Sequence, residues 1–406
     1  MRRGRLWFIS RRLPAHGLGG MERVVYELAA GLAGRGWSVA LVTTRLEQPA
    51  GAVPQGVELH ALDAPSKLPA GRFARALLRW EEAQRASPPD LILAATFAAG
   101  PLVARRRGIP AIFQAHGSSW VEAAVKLRAG DPRGLYRLWL YLSAERGTLR
   151  RYDRIVAVGP AVEAYFAARA YRFLEHERIV TIANGIDLAA LGGSGASRQV
   201  VRAELSVGED ERIVLSAGRL IREKGALDLL RAYAGTRERD RVRILIAGAG
   251  RDEPALRDFV RRQGLERVRL LGPVPRGRLI DLVRAADLVA QVGTRPEGLP
   301  LIVLEALCLG CPVLVAEGLP LPSFGGEAGV WRARPGDAPS ISAGLVRALG
   351  VTVPLGEVAA AARVRFGLEG TLDAYEELFM DVLARRRAGP GAEGGTGAGT
   401  GGRKSR

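Results

Sequence analysis

Short apolar strands alternate with helices from the start of the chain; the alternation breaks off near residue 190 and begins again near residue 213. Arg5 to Ser10 reads as a strand, followed by a loop ending in Gly19–Gly20. The next stretch places Val24, Val25, Leu28 and Leu32 on one helical stripe, closed by Gly34 and Gly36, with a second strand from Ser38 to Thr44. Successive units of this kind predict a parallel sheet covered by helices on both faces, once in each half. The class is therefore α/β, and 406 residues exceed what one core usually spans. The expected division is a first domain over 1–190, a linker over 191–206 containing LGGSGAS, and a second domain over 207–366. A last helix over 367–388 carries Leu372, Tyr375, Leu378, Phe379 and Leu383 on one stripe, and a Gly-rich tail over 389–406 has too few apolar residues to fold.

The strand ends carry the residues of interest. Open α/β sheets bind ligands beyond the carboxyl ends of their strands. In the first half, Leu91–Ala95 and Ala111–Gln114 read as strands, the second running into His116–Gly117–Ser118. A long helical stretch from Arg133 to Asp153 follows, then a strand at Ile155–Val158, another at Ile179–Ala183, and the turn Asn184–Gly185–Ile186–Asp187. In the second half, Ile213–Ala217 ends in Gly218–Arg219–Leu220 and a loop with Lys224–Gly225, while Arg243–Ala247 ends in Gly248–Ala249–Gly250. Val268–Leu271 and Leu288–Gln291 continue the alternation. Arg219 and Lys224, two cations at the end of a strand, are placed to neutralise a diphosphate. Gly19 and Gly20 let backbone come close to a ligand, although an ordinary tight turn has the same signature.

The segment from Thr294 to Ala316 is the most specific. Pro300 suits the first position of a helix and Gly310 the residue past its end, so a helix of about ten residues is predicted, with Val313–Ala316 as a buried strand. Glu305 is the only charge between Gly298 and Ala316, and a buried carboxylate is costly unless something donates hydrogen bonds to it. Glu297, Gly298 and Leu299 lead into the helix, whose free N–H groups form a natural anion site. Glu305 lies roughly 7 Å further along. That distance suits a ligand with phosphates at the helix tip and paired hydroxyls beyond, as in a nucleotide's diphosphate and ribose.

The net charge of +17 is carried by arginine, the only lysines being Lys67, Lys126, Lys224 and Lys404. It suits anionic partners such as nucleotide diphosphates, an acidic membrane surface or nucleic acid, and codon bias alone would also produce it. A stretch from Arg72 to Arg85 is amphipathic; packing of its apolar side on its own sheet is preferred to a membrane-facing role. Cys308 and Cys311 form a C-x-x-C with no second pair to complete a metal site, so they are read as packing residues. No uncharged run is long enough to cross a bilayer and the N-terminus lacks a full signal peptide, so a cytoplasmic protein is expected.

Taken in order, GLGGME at 17–22, HG at 116–117, NGID at 184–187, GRLIREKG at 218–225, GAG at 248–250 and the pair Glu297 and Glu305 (E-x7-E) resemble the retaining glycosyltransferases of family 4 (GT4) from about Arg5 to Arg387. The resemblance implies the GT-B fold, two Rossmann-like domains facing a central cleft with a C-terminal helix crossing back to the first. It also implies roles. Arg219 and Lys224 would hold the donor diphosphate, Glu305 the ribose, and Glu297 with Gly298 and Leu299 the transferred sugar. Gly20 would approach the diphosphate from the opposite domain, Gly19 and Gly218 would belong to the donor-binding set, Gly248 and Gly250 would lie near the base, and His116 would face the donor sugar.

The implied co-substrate is a UDP- or GDP-type sugar, with a saccharide or lipid-linked glycan as acceptor. No cofactor is expected, and the absence of an Asp-x-Asp motif predicts metal independence. Retention would follow front-face attack. Cell-surface polysaccharide or glycolipid synthesis is the implied setting, with peripheral contact to an anionic membrane at its inner face and no nucleic-acid partner. The sequence departs from many relatives at GLP after Glu297, where GFG is common, and at Trp37, where His is common. A catalytically silent nucleotide-sugar-binding subunit, a nucleotide-sugar epimerase on the same fold and a nucleic-acid binder are the competing expectations.

Overall fold

The computed structural model describes residues 3–388 except 18, 47–52, 67–69, 106–107, 129, 237–238, 295–298, 322–328 and 352. The strands of the first half are β1 (Gly4–Ile9), β2 (Trp37–Thr44), β3 (Glu58–Leu62), β4 (Leu91–Ala94), β5 (Ala111–Ala115), β6 (Arg154–Ala157) and β7 (Ile179–Thr181). They form one sheet in the order β3-β2-β1-β4-β5-β6-β7, every pair parallel. Those of the second half are β8 (Arg212–Ala217), β9 (Val242–Ala247), β10 (Val268–Gly272), β11 (Leu288–Gln291), β12 (Val313–Ala316) and β13 (Val330–Ala333). Their order is β10-β9-β8-β11-β12-β13, again parallel throughout. Each half is thus a doubly wound sheet whose order reverses beside its first strand, between β1 and β4 and between β8 and β11. Crevices open at such reversals, beyond the carboxyl ends of the strands. Two Rossmann-like domains are present, as expected from the alternation.

Side-chain alternation divides each sheet into two cores. In β1, Trp7 and Ile9 face a core completed by Phe73, Leu77 and Tyr152, while Leu6 and Phe8 face Val25, Leu28 and Leu32 on the helix Gly20–Gly34. The second of these cores is finished by the C-terminal helix Leu368–Ala388, which buries Leu372, Tyr375, Leu378, Phe379 and Val382 against the first domain. Trp37 packs edge-on against Phe379 at 5.2 Å and donates its indole N–H to Glu376 at 2.9 Å. Arg35 gathers Glu369, Asp373 and Glu376 around its guanidinium. The chain's last long helix is therefore part of the first domain's interior. The amphipathic helix Ala70–Ala83 buries Phe73, Ala76 and Leu77 on its own sheet, with Trp80 against Trp7 at 4.6 Å, as preferred from the sequence.

The two passages of chain between the domains run side by side. The N–H of Ile186 donates to the carbonyl of Phe366 at 2.7 Å and that of Leu368 to the carbonyl of Ile186 at 2.9 Å. A Cβ on Gly185 would stand 2.6 Å from the Cα of Leu368, so the Asn184–Asp187 turn needs glycine because the returning backbone touches it. Residues 191–206 include the helix Arg198–Glu204, whose Val201 is buried with Ile213 and Leu215 of the second domain. The backbone N–H of Ser194 donates to Asp281 at 3.1 Å. This stretch is ordered against the second domain. The tail 389–406 lies outside the described residues.

Candidate active site

The helix Leu301–Cys308 points its amino end into the crevice of the second sheet, with Pro300 as N-cap rather than first helical residue. Its far end closes with the N–H of Cys311 on the carbonyl of Ala306 (2.8 Å), that of Gly310 on Leu307 (3.0 Å), and Gly310 at φ 76°. This paired closure with a left-handed glycine explains why the helix stops there. Both cysteines are free and buried, and burial pushes each thiol up to about 12. They pack, as expected.

A cavity of about 220 Å³ opens at the tip of this helix, lined by Lys224, Gln291, Gly293, Thr294, Pro300 and Glu317 of the second domain and by Ala161 of the first, among others. Two glycines fix the Lys224 loop over it. Gly225 has φ 80°, and a Cβ there would stand 2.8 Å from the backbone of Val292 and Gly293; a Cβ on Gly293 would stand 2.6 Å from the carbonyl oxygen of Glu223. The loops after β8 and β11 therefore touch backbone to backbone, and Gln291 ties them further by donating to the carbonyl of Ala217 at 2.8 Å. Arg219 stands on the same loop, exposed, with no ion-pair partner among the described residues.

Gly248 and Gly250 have a steric reason to be glycine. Cβ atoms there would fall 1.9 Å from the carbonyl oxygen of Gly218 and 2.1 Å from that of Leu220. The strand end that the resemblance assigns to the base thus supports the loop carrying Arg219. Gly19 and Gly20 start the helix Gly20–Gly34 across the cleft. The carboxylate of Glu22 folds back over Gly19, so that any Cβ there would meet it, and pairs with Arg12 at 3.3 Å. A Cβ on Gly20 would lie 3.7 Å from Leu301, and one on Gly159 would lie 3.5 Å from Leu299. Both glycines of the first domain therefore face the start of the helix Leu301–Cys308. Lys126 and Glu223 add an ion pair between the domains at 3.8 Å.

His116 follows β5 on a loop with its own buried support. Its Nε2 lies 3.0 Å from Oε1 of Gln114, whose Nε2 donates to the Tyr375 hydroxyl at 2.7 Å. With the Gln114 amide so oriented, the ring carries its proton on Nε2 and leaves Nδ1 as the lone pair. Burial lowers the imidazole pKa to about 4, so the ring is neutral near pH 7. Glu145 holds the next residues: one carboxylate oxygen accepts from the N–H of Ser119 at 3.0 Å and the other from the Tyr171 hydroxyl, which also meets the Ser118 hydroxyl at 2.5 Å. Burial raises the Glu145 carboxyl. Glu145 ends a π-helical turn, Tyr141–Glu145, inside the helical stretch Arg133–Leu149; such turns frequently sit beside functional loops. The sequence gives Gln114, Glu145 and Tyr171 no site role and Tyr375 only a place on the apolar stripe of the last helix, because the partners that reveal them lie 26 to 261 residues away.

Glu305 differs from expectation. It is 2% exposed, yet it has a protein partner: Arg276, at the start of the helix Arg276–Ala285, reaches its carboxylate at 2.6 Å. The buried acid is thus compensated within the chain, and the Nε of Arg276 is buried with no hydrogen-bond partner among the described residues. Arg276 also acts on Glu27 of the first domain, whose carboxyl is raised by burial against the pull of Arg23 and, more weakly, of Arg276. Glu297 and Gly298 lie outside the described residues. Of the remaining candidates, Lys224 lines the cavity; Arg219, Gly218, Gly248 and Gly250 form the neighbouring loop pair; Gly20 faces Leu301 and Leu299 faces Gly159 across the domains, while Gly19 meets Glu22 of its own helix. His116 and Glu305 are not among the cavity's lining residues. A larger cavity of about 440 Å³, lined by Arg151, Asp153 and Arg386 among others, lies at the amino ends of β5 and β6, away from all of these.

Comparison with known proteins agrees with this architecture. The model of Glycosyltransferase Family 4 matches residues 18–190, and that of Glycosyl transferases group 1 matches residues 197–330. D-inositol 3-phosphate glycosyltransferase 2 of Catenulispora acidiphila is 29% identical, covering 91% of this chain and 92% of its own. The D-inositol 3-phosphate glycosyltransferase of Saccharomonospora viridis is 32% identical over 75% of both. Among solved structures, sucrose-phosphate synthase from Thermosynechococcus elongatus superposes with a TM-score of 0.76 at 20% identity, over 94% of this chain and 100% of that one. The Anabaena protein Alr3699/HepE, in complex with UDP and glucose, gives 0.71 at 22% identity, over 93% and 100%. The chain belongs to glycosyltransferase family 4 and is a glycosyltransferase with the two-domain GT-B fold.

Proposed function

We propose that the chain moves a sugar, with retention and without a metal, from a UDP- or GDP-type donor to a saccharide or lipid-linked glycan acceptor in cell-surface polysaccharide or glycolipid synthesis. The observation that carries this reading is the Lys224-lined cavity at the tip of the helix Leu301–Cys308, with the exposed Arg219 on the same loop as Lys224. Helix N–H groups and fixed cations stabilise the negative charge that builds on a departing diphosphate. Glu297, with Gly298 and Leu299, would hold the transferred sugar, and Gly19 and Gly20 would close on the diphosphate from the first domain. Ribose hydroxyls would share the Glu305 carboxylate with Arg276, since a carboxylate accepts about four hydrogen bonds. Neutral His116 would bond a donor-sugar hydroxyl through Nδ1.

In the transfer itself the bond from the sugar's anomeric carbon to the phosphate oxygen breaks, and one to the acceptor oxygen forms on the same face. The acceptor's hydroxyl proton passes to the departing phosphate oxygen. The names of the relatives favour a phosphorylated inositol as a second acceptor to test. Thermal stabilisation by UDP, GDP and ADP and their sugars identifies the donor, because a ligand bound only by the folded state raises the melting temperature. Product NMR with that donor then reports the anomeric configuration. An inverted product, or turnover abolished by chelator and restored by a divalent ion, overturns the corresponding part of the reading.

A further inference from the structure

The helical stretch Arg133–Leu149 presents one face inwards and an unusual one outwards. Gly134 lets it sit tightly on the helix Ser119–Arg128: a Cβ there would stand 2.6 Å from Leu127 and 3.0 Å from the carbonyl oxygen of Ala123. Tyr141 and Glu145 point into the interior. On the outside, Leu135, Tyr136, Trp139 and Leu142 are between 57 and 61% exposed, and the rings of Tyr136 and Trp139 stack at 6.0 Å. These positions, i, i+1, i+4 and i+7, make one stripe about 10 Å long on a helix. A contiguous apolar strip of this kind on a soluble surface marks an interaction site, whereas single exposed hydrophobics do not.

Charge and composition say what covers it. Residues 119–151 hold seven Lys and Arg against three Asp and Glu, and one of those acids, Glu145, is buried. Arg133 and Arg137 flank the strip and pair with Asp131 at 2.8 Å and Glu122 at 2.7 Å, while Arg146 and Arg150 continue the positive surface over Phe173 at 5.4 and 4.9 Å. Trp and Tyr beside Leu, set in arginine, is the composition that lies in the headgroup region of an anionic bilayer, rings at the interface and guanidinium groups on phosphates. The strip also adjoins the cleft. Lys126 of the supporting helix, on which this stretch packs through Gly134, reaches Glu223 of the second domain at 3.8 Å.

We propose that the outer face of this helix, Leu135, Tyr136, Trp139 and Leu142 with its flanking arginines, docks the protein on an anionic phospholipid bilayer. The helix lies in the plane of the interface, and the mouth of the cleft is held at the headgroups, where a lipid-linked acceptor is presented. Only that last consequence rests on the proposed function; docking needs no turnover.

Flotation of the full chain with phosphatidylglycerol–phosphatidylcholine vesicles tests it, with phosphatidylcholine vesicles alongside. Binding is expected to the anionic vesicles at low salt, weakened by salt, and lowered roughly tenfold or more in the double variant Leu135→Ser, Trp139→Ser. Val364→Ser, at an 89% exposed apolar position on the second domain, is the control and should bind as the parent does. The double variant should melt at the parent's temperature, because it removes side chains that water already surrounds. Bromine-labelled lipid should quench Trp139 in the parent, so that the difference in quenching between parent and Trp139→Phe locates the contact. No partition onto anionic vesicles, or equal partition of the double variant, overturns the proposal. So does a concentration-dependent dimer in sedimentation velocity that the double variant loses, since a second copy of the chain would then cover the face.

Discussion

Replacing the Arg276–Glu305 pair by hydrophobic residues, singly and together, separates what holds the second domain together from what binds the donor. Arg276→Met leaves a carboxylate that is 2% exposed without its guanidinium, and breaking a buried pair from one side costs about 3 kcal/mol or more. Glu305→Leu leaves the arginine unpaired, but its side chain is 26% exposed and relaxes towards water, so about 2 kcal/mol is expected. At about 2–4 °C per kcal/mol for a domain of this size, the single variants should melt roughly 4–12 °C lower. The double variant should recover most of that loss, because two apolar side chains of similar volume do without the desolvation cost of the pair.

Nucleoside diphosphate affinity should not recover with it. If ribose hydroxyls bond Glu305, both variants that lack it lose charged hydrogen bonds worth about 1.5–3 kcal/mol, roughly 10- to 100-fold in dissociation constant. Arg276→Met, which keeps the carboxylate, should bind within a few-fold of the parent. Urea titration and calorimetric titration with UDP and GDP on all four proteins read both quantities. Additive losses of stability would refute the pairing argument, and undiminished nucleotide affinity in Glu305→Leu would refute the ribose assignment.

Gly250→Ala forces a methyl group to 2.1 Å from the carbonyl of Leu220, so the Arg219 loop must move; donor affinity should fall at least as far as in Arg219→Ala, with a lower melting temperature. For His116, burial lowers the pKa from 6.5 to about 4, so the unfolded chain takes up this proton first as pH falls. The stability it contributes is present above pH 6.5 and is lost progressively towards pH 4, by at most about 3 kcal/mol; His116→Gln should flatten that part of the urea-midpoint profile. Cys308 and Cys311, both buried and pushed up to about 12, should fail to react with an aromatic disulfide reagent at pH 8 until denaturant is added.

Most strands were legible in the sequence, including the edge strands β7 and β10, whose segments Ile179–Ala183 and Val268–Leu271 keep an apolar run, whereas the other two edge strands were not. β1, β4, β5, β8, β9, β11 and β12 are near-continuous apolar runs, so their position and order could be read directly. β3 and β13 are edge strands with mixed burial, Glu58 exposed in one and Arg332 half-buried in the other, and neither shows the apolar run that announces a central strand. The helix Arg198–Glu204 hides in a stretch that reads as linker because Val201 is its only buried residue.

At the site, the glycine and charge motifs were visible because each is local. Their reasons were not. Gly248 and Gly250 answer to Gly218 and Leu220, Gly225 to Gly293, and Gly185 to Leu368, and only the folded backbone brings these together. Glu305 was conspicuous as a lone acid in an apolar helix. Its partner Arg276, one arginine among many and 29 positions earlier, carries no local mark that would single it out.

Calorimetric titration of the parent and of Arg219→Ala with UDP and GDP tests most directly whether the donor diphosphate lies between this loop and the tip of the helix Leu301–Cys308. One of the two nucleotides should bind the parent, and the substitution should raise its dissociation constant roughly 10- to 100-fold while leaving the melting temperature of the free protein unchanged, because Arg219 is exposed. Equal affinity of parent and variant for that nucleotide would contradict the account.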